Sequence, residues 1–210
     1  MNTTPHGRVR KPALAALSVA AVAAPALAPA SAEAAATIKV KASHHVLVGK
    51  KVKVKGKLSG SARQRVRVER DKGHGWKTVD TAKTGASGRF RAAFPGRNPG
   101  RMKVRVVAAN GAVSGVRKTT VYRRVSASYY GPGLYGNKLA CGGTLQRGTL
   151  GVANKTLPCG TKVRLRYHGN SIRVPVIDRG PYSGNRVYDL TEATKKRLGF
   201  GGVGNVWATK

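Results

Sequence analysis

The sequence predicts an all-β protein: a β-sandwich, then a second β unit that carries one short helix. Three observations predict it. Residues 37–124 alternate β-branched and charged residues with period two, as in Thr37-Ile-Lys-Val-Lys41, Lys51-Val-Lys-Val-Lys55 and Arg65-Val-Arg-Val-Glu69. That spacing turns Val or Ile to a core and Lys or Arg to water. Turn signals recur between these runs at intervals of about 10–15 residues, a sandwich-like rhythm. Helix signals gather at one place, Thr191 to Leu198. There Thr191 is a candidate N-cap, Glu192 and Lys195–Lys196–Arg197 suit the helix dipole, and Gly199 is the stop.

Residues 1–34 read as an export signal, with a basic start (Arg8, Arg10, Lys11), an Ala-rich apolar stretch and two A-x-A cleavage patterns ending at Ala32 and Ala34. Pro25 and Pro29 break the apolar stretch, so it is too short for a membrane anchor. The mature chain is therefore expected to be secreted, extracellular or wall-associated, with no transmembrane segment.

Residues 37–124 form the first unit, with about seven expected strands. Beyond the three runs above, these are Lys77–Asp80 after the Gly73-His-Gly-Trp76 turn, Gly88–Phe94, Met102–Val107 and Val116–Val121. The pattern resembles the small immunoglobulin-like modules of bacterial surface proteins. No Cys pair lies here, so an antibody-type disulfide is excluded. Arg123–Ala127 is too short for a flexible linker, and residues 127–210 form the second unit. In it, Lys162–Tyr167 and Ile172–Ile177 read as strands joined by a hairpin turn at His168-Gly-Asn170, and Val203–Ala208 as a closing strand.

Charge narrows the partners. The chain has 40 Lys and Arg against 7 Asp and Glu, a net charge of +33. Such an excess implies a polyanionic partner. For an exported protein that partner is an anionic cell-wall polymer rather than nucleic acid. The alternative is a solvated face that keeps the protein soluble. The histidines show no metal-ligand spacing, and no cofactor motif is present, so no cofactor is expected. Outside the cell, Cys141 and Cys159 are expected to form a disulfide.

Carboxylates are so few that their positions are informative. After residue 125 only Asp178, Asp189 and Glu192 remain. Asp178 ends an apolar run and opens a Gly-Pro turn; Asp189 stands just before the helix. Glu192 is explained by the helix dipole alone. A carboxylate at a strand end among cations and tyrosines can act on a polar substrate. The plainer alternative is that Asp178 caps its turn and pairs with Arg179. Tyr129, Tyr130 and Tyr135 on a Gly-rich frame suit stacking on sugar rings, or packing at a barrel entrance.

On four ordered motifs the second unit resembles a double-psi β-barrel of the rare lipoprotein A type. They are Ala127-Ser-Tyr-Tyr-Gly-Pro-Gly133, Lys155-Thr-Leu-Pro-Cys-Gly-Thr161, Val176-Ile-Asp-Arg-Gly-Pro-Tyr182 and Asp189-Leu-Thr191. The resemblance implies a six-stranded barrel, related to expansins, acting on peptidoglycan glycan strands as a lytic transglycosylase. It implies two catalytic candidates: Asp178, carried over as the acid, and Asp189, which matches the Asp that expansins and related endoglucanases place before their helix. Two family residues are replaced: the His by Asn154, and an upstream Glu by Gly143. The expected substrate contacts are Tyr129, Tyr130, Asn154, Arg179 and Tyr182. Hydrolysis needs two carboxyl groups; a lytic transglycosylase can use one, because the sugar's own 6-hydroxyl attacks. Two expectations result: a weak lytic transglycosylase, or a non-catalytic, expansin-like polysaccharide-binding or wall-loosening protein.

Overall fold

The structure, a computed structural model, describes residues 36–60 and 63–210. The export-signal reading of residues 1–34 lies outside the described residues. Those described fall in one compact unit. Thirteen strands and one helix make it up among the described residues.

The first sheet holds β1 (Ile38–Ala42), β3 (Lys51–Leu58) and β6 (Arg89–Pro95), in the order β1-β3-β6. The second holds β4 (Arg65–Asp71), β5 (Trp76–Lys83), β7 (Gly100–Ala108) and the first half of β8 (Arg117–Tyr130), with β2 (His45–Leu47) added on β8. Val52, Val54, Phe90 and Phe94 of the first sheet share one core with Val66, Val68, Val104 and Val106 of the second. That is a sandwich, and the period-two runs are its cause. In β3 every second residue from Val52 points inward and every lysine points out. Each fully buried Val contributes roughly 1.5–3 kcal/mol by leaving water.

The outward face of the first sheet is cationic. Lys39 lies opposite Lys57, and Lys57 opposite Arg89; Lys41 lies opposite Lys55, and Lys55 opposite Arg91. Like charges facing each other across strands are destabilising. The acids of this unit sit elsewhere. Glu69 binds Arg105 at 2.8 Å, Asp71 lies 3.8 Å from Lys103, and Asp80 accepts backbone N–H bonds from Thr81 and Ala93.

No linker separates the sandwich from the second unit. β8 runs unbroken for 14 residues. Its first half pairs with β7 and β2, and its second half with β13 (Gly204–Ala208) and β12 (Tyr188–Thr191). The strand expected at Val116–Val121 and the join at Arg123–Ala127 are therefore one element.

The remaining strands are β9 (Val152–Ala153), β10 (Lys162–Tyr167) and β11 (Asn170–Asp178). They pair in the order β12-β9-β11-β10-β13-β8, and β12 pairs back onto β8. The ring closes: a six-stranded barrel of the double-psi kind, with a core of Val125, Ala127, Val163, Leu165, Val174, Val176, Leu190 and Val206. The hairpin between β10 and β11 turns on His168 and Gly169, with φ of 40° and 92°. With positive φ at both central positions this is a turn of the I′ kind, which favours glycine second. Helix α1 (Glu192–Leu198) is capped as expected: the Thr191 side chain accepts from the Thr194 N–H, and Gly199 adopts φ 71°. The Cys141–Cys159 disulfide is formed, with Cα atoms 5.5 Å apart.

Candidate functional site

The site is built where β11, β9 and β12 lie side by side. β9 is only two residues long, yet it sets the geometry. Its Ala153 is the cross-strand neighbour of both Asp178 on β11 and Asp189 on β12. The register between β11 and β9 slips at Ile177, so that Val176 faces Val152 and Asp178 faces Ala153. Such an extra residue turns the strand and re-aims the next side chain. Gly151 makes room for this: a Cβ there would come within 2.3 Å of Ile177.

Asp178 is held by backbone. Its Oδ1 accepts from the N–H of Ala140 and of Arg179, each at 2.9 Å. Its partner in residue 179 is thus the amide, not the guanidinium. Arg179 turns the other way, donating to the carbonyls of Asn154 and Leu157 at 3.2 and 3.0 Å and to Cys159 Sγ. Cys141 donates its N–H to the Ile177 carbonyl, so the disulfide pins the segment that supplies the Ala140 donor.

Asp189 accepts from the Ser128 hydroxyl and lies 4.0 Å from the Arg186 Nε. Tyr130 lies near both carboxylates and interacts more closely with Asp178. Its hydroxyl is buried and makes no hydrogen bond of ordinary geometry. Burial, then the Asp178 charge, then Asp189, hold this phenol far above the usual tyrosine range. Tyr130 is therefore a neutral O–H donor facing two carboxylates across a wide pH range.

Other expected contacts fall differently. Strand alternation sends Tyr129 and Tyr130 to opposite faces. Tyr129 lies beneath Lys195, whose Nζ is 3.9 Å from its ring centroid. Tyr135 donates to Glu192, and Arg147 covers its ring. That hydrogen bond, with Lys196 behind it, lowers the Glu192 pKa. So Glu192 is occupied structurally, and of the three clustered tyrosines only Tyr130 meets the carboxylates. Tyr182 is 80% exposed, open to a ligand.

The Asn154 side chain is turned into its own loop. It is buried, its amide donates to the Val187 carbonyl at 2.9 Å, and its carbonyl accepts from the N–H of Thr156 and Leu157. Its side chain is used to fold the 154–159 turn, as that of Arg179 is. Both residues stabilise the loop beside Asp178. Gly143 is exposed, with φ 79° and open space where a side chain would stand. Ser128, Arg186 and the Ala140 N–H are site groups that sequence reasoning missed. The first could have been found, since Ser128 has the same strand parity as Tyr130.

A closed double-psi barrel with a pair of carboxylates on the two strands that flank β9 is the class this fold and site define. Comparison with known proteins agrees. Residues 122–207 match the family described as lytic transglycolase. The chain is similar to a probable endolytic peptidoglycan transglycosylase RlpA of Synechocystis sp., 42% identical over 84 residues, 38% of this chain and 26% of that protein. The RlpA of Neisseria meningitidis serogroup A is 39% identical over 77 residues, 36% of this chain and 32% of that one. A probable RlpA of Aquifex aeolicus is 38% identical over 89 residues, 41% and 39% of the two chains. The chain thus spans well under half the length of these relatives. Among solved structures, the Streptomyces papain inhibitor aligns with a TM-score of 0.34 and 27% identity, covering 42% of this chain and 92% of that one.

Proposed function

We propose that the barrel engages peptidoglycan glycan strands and cleaves them as a lytic transglycosylase. The observation that carries this reading is the placement of Asp178 and Asp189 on either side of Ala153, with the buried Tyr130 hydroxyl near Asp178. In this reading Asp178, protonated on the oxygen that carries no protein hydrogen bond, gives its proton to the glycosidic oxygen. The bond to the anomeric carbon breaks. The same carboxylate then takes the proton of the sugar's 6-hydroxyl as that oxygen closes on the anomeric carbon. No water is consumed and the product ends in an anhydro ring. Tyr130 donates to the carboxylate whenever it is ionised. Asp189, with Ser128 and Arg186, holds sugar hydroxyls, and Tyr182 covers the ring.

The occupation of Asn154 supports a second reading. At the position of the family histidine stands a side chain spent on its own loop, and at that of the glutamate a glycine. A barrel that grips glycan without cutting it, as expansins do, fits these residues too.

The remainder of the reading concerns place. Residues 1–34 export the chain. The immunoglobulin-like sandwich attaches it to anionic wall polymer through the lysine- and arginine-bearing face of the first sheet. The test is mass spectrometry of soluble products from purified peptidoglycan, with Asp178→Asn alongside. Anhydro-ended fragments lost in the variant establish cleavage. No fragments, with the protein pelleting on the walls, establish the binding protein.

A further inference from the structure

We propose that the outer wall of the barrel carries a second binding site, for a sugar ring that bears a carboxylate, built from Arg124, Trp207 and Arg166. It deepens the glycan reading above and rests on it. Strand register sets these three in one row: Arg124 on β8 opposite Trp207 on β13, and Trp207 opposite Arg166 on β10. Their neighbours Val125, Val206 and Leu165 are buried in the barrel, so alternation turns the three outward. They line a cavity of about 350 Å³, closed by Tyr167, His168 and Asn205.

Each part is prepared for a ligand. The Trp207 ring is backed by the fully buried Tyr122, with centroids 5.9 Å apart. Arg166 is fixed from behind, its Nη1 donating to the Gly169 carbonyl at 2.7 Å and to the Ser171 hydroxyl at 3.1 Å. Neither arginine has a carboxylate partner among the described residues. The next row adds Arg164 opposite Arg173. All three carboxylates of this half of the chain are engaged elsewhere. Two guanidiniums without a counter-charge on either side of one indole, with two more in the next row, are a cost that an anionic ligand relieves. The indole offers a flat apolar face, and a guanidinium takes a carboxylate in a planar fork.

The row lies on the same side of β8 as Ser128, four residues along. At about 3.3 Å per residue this is about 13 Å from the Asp189 partner. A glycan lying along β8 from the carboxylate pair reaches it within a few sugar units. The site therefore holds a remote part of the chain being gripped, and selects one whose sugars carry free carboxylates.

The test uses the full mature protein with Trp76→Phe, which leaves Trp207 as the only tryptophan. Two probes are titrated: a peptide-free peptidoglycan tetrasaccharide with its sugar carboxylates, and chitotetraose, its uncharged counterpart. Emission and calorimetric heat are both read. The expected result is a saturable change in Trp207 emission, with the charged probe bound about tenfold or more tighter. Arg124→Ala and Arg166→Ala each erase that preference and leave chitotetraose binding unchanged, and Arg124→Ala also leaves the melting temperature unchanged. Arg124 makes no structural side-chain bond, so its variant stays informative if Arg166→Ala disturbs the hairpin. Equal affinity for both probes overturns the proposal, as does an unchanged preference in the Arg124 variant. Equally tight binding of an oligonucleotide at the same salt overturns the choice of a sugar. Heat without a Trp207 response sinks this site alone. Absence of heat with either probe, and no pelleting with sacculi, sinks the glycan reading itself.

Discussion

Asp178 and Asp189 share a single cross-strand neighbour, Ala153. Two interstrand steps therefore separate them, about 10 Å between Cα atoms at ordinary sheet spacing. They stand on strands that do not pair with each other, with the backbone of β9 between them.

A first prediction concerns Asp178. Replacing it with Asn keeps both backbone donors within reach of a carbonyl oxygen but removes the acid. Release of anhydro-ended fragments is expected to fall by about 10²–10⁴-fold. Sacculus pelleting should stay within about twofold, since the expected contacts with glycan are otherwise intact. Fragments with reducing ends in the wild type would instead mean hydrolysis, with Asp189 as the second carboxylate.

Tyr130→Phe separates stability from function. The phenol oxygen is buried near Asp178, and that carboxylate keeps its two backbone donors when the phenol is gone, so the loss leaves no orphaned partner. The melting temperature should hold or rise slightly, while product formation or glycan affinity drops. A clear destabilisation, about 1 kcal/mol or more, would show that the hydroxyl makes a structural bond.

The same residue makes the alkaline limb of stability testable. Tyr130 and Tyr188 both have pKa values raised by burial. With the folded pKa above the unfolded value near 10, the folded chain binds more protons once pH passes about 10. Stability is thus complete below about pH 10 and falls as pH rises beyond it. Denaturant melts at about pH 9 and about pH 11, on either side of that value, should show this fall. It should be shallower in Tyr130→Phe.

Reduction of Cys141–Cys159 tests the link between the disulfide and Asp178. The chain-entropy model assigns a loop of this size about 3 kcal/mol. The paired Ser variant should melt lower by that order. Its activity at low temperature, where it is folded, should also fall, because the Ala140 N–H is no longer held against Asp178.

Lys55→Glu with Arg91→Glu probes the cationic sheet. The two residues are cross-strand neighbours. Their reversal should weaken retention on walls at low salt and flatten its salt dependence. Stability should change little, because the pair across β3 and β6 stays a like-charge pair while the carboxylate at position 55 gains Lys41 opposite it. Unchanged retention would move wall attachment to the barrel.

Much of the fold was legible because it rests on local rules. Val52 and Val54 point inward by parity alone, Thr191 caps because its side chain reaches the next turn, and the His168–Gly169 turn rests on two positive φ angles. The rest was not local. β9 is two residues long and has no period to read. β8 runs through Arg123–Ala127 because two different sets of partners satisfy one strand, and a sequence does not display its partners. At the site, Asp178 and Asp189 stood out through scarcity. Asn154 and Arg179 looked like binding residues because they are polar and sit beside a motif. Their hydrogen bonds to the 154–159 turn depend on a loop shape that spacing does not reveal.

The continuity of β8 has a mechanical consequence. A strand of 14 residues is a beam about 47 Å long at 3.3–3.4 Å per residue, and both cores are packed onto it. There is no hinge between them to absorb displacement. A load placed on the sandwich would reach the barrel along covalent bonds and a hydrogen-bonded ladder, with no slack. A protein held to a surface in this way works at a fixed standoff, like a tool on a rigid handle, and its reach is set by its own dimensions rather than by the drift of a tether.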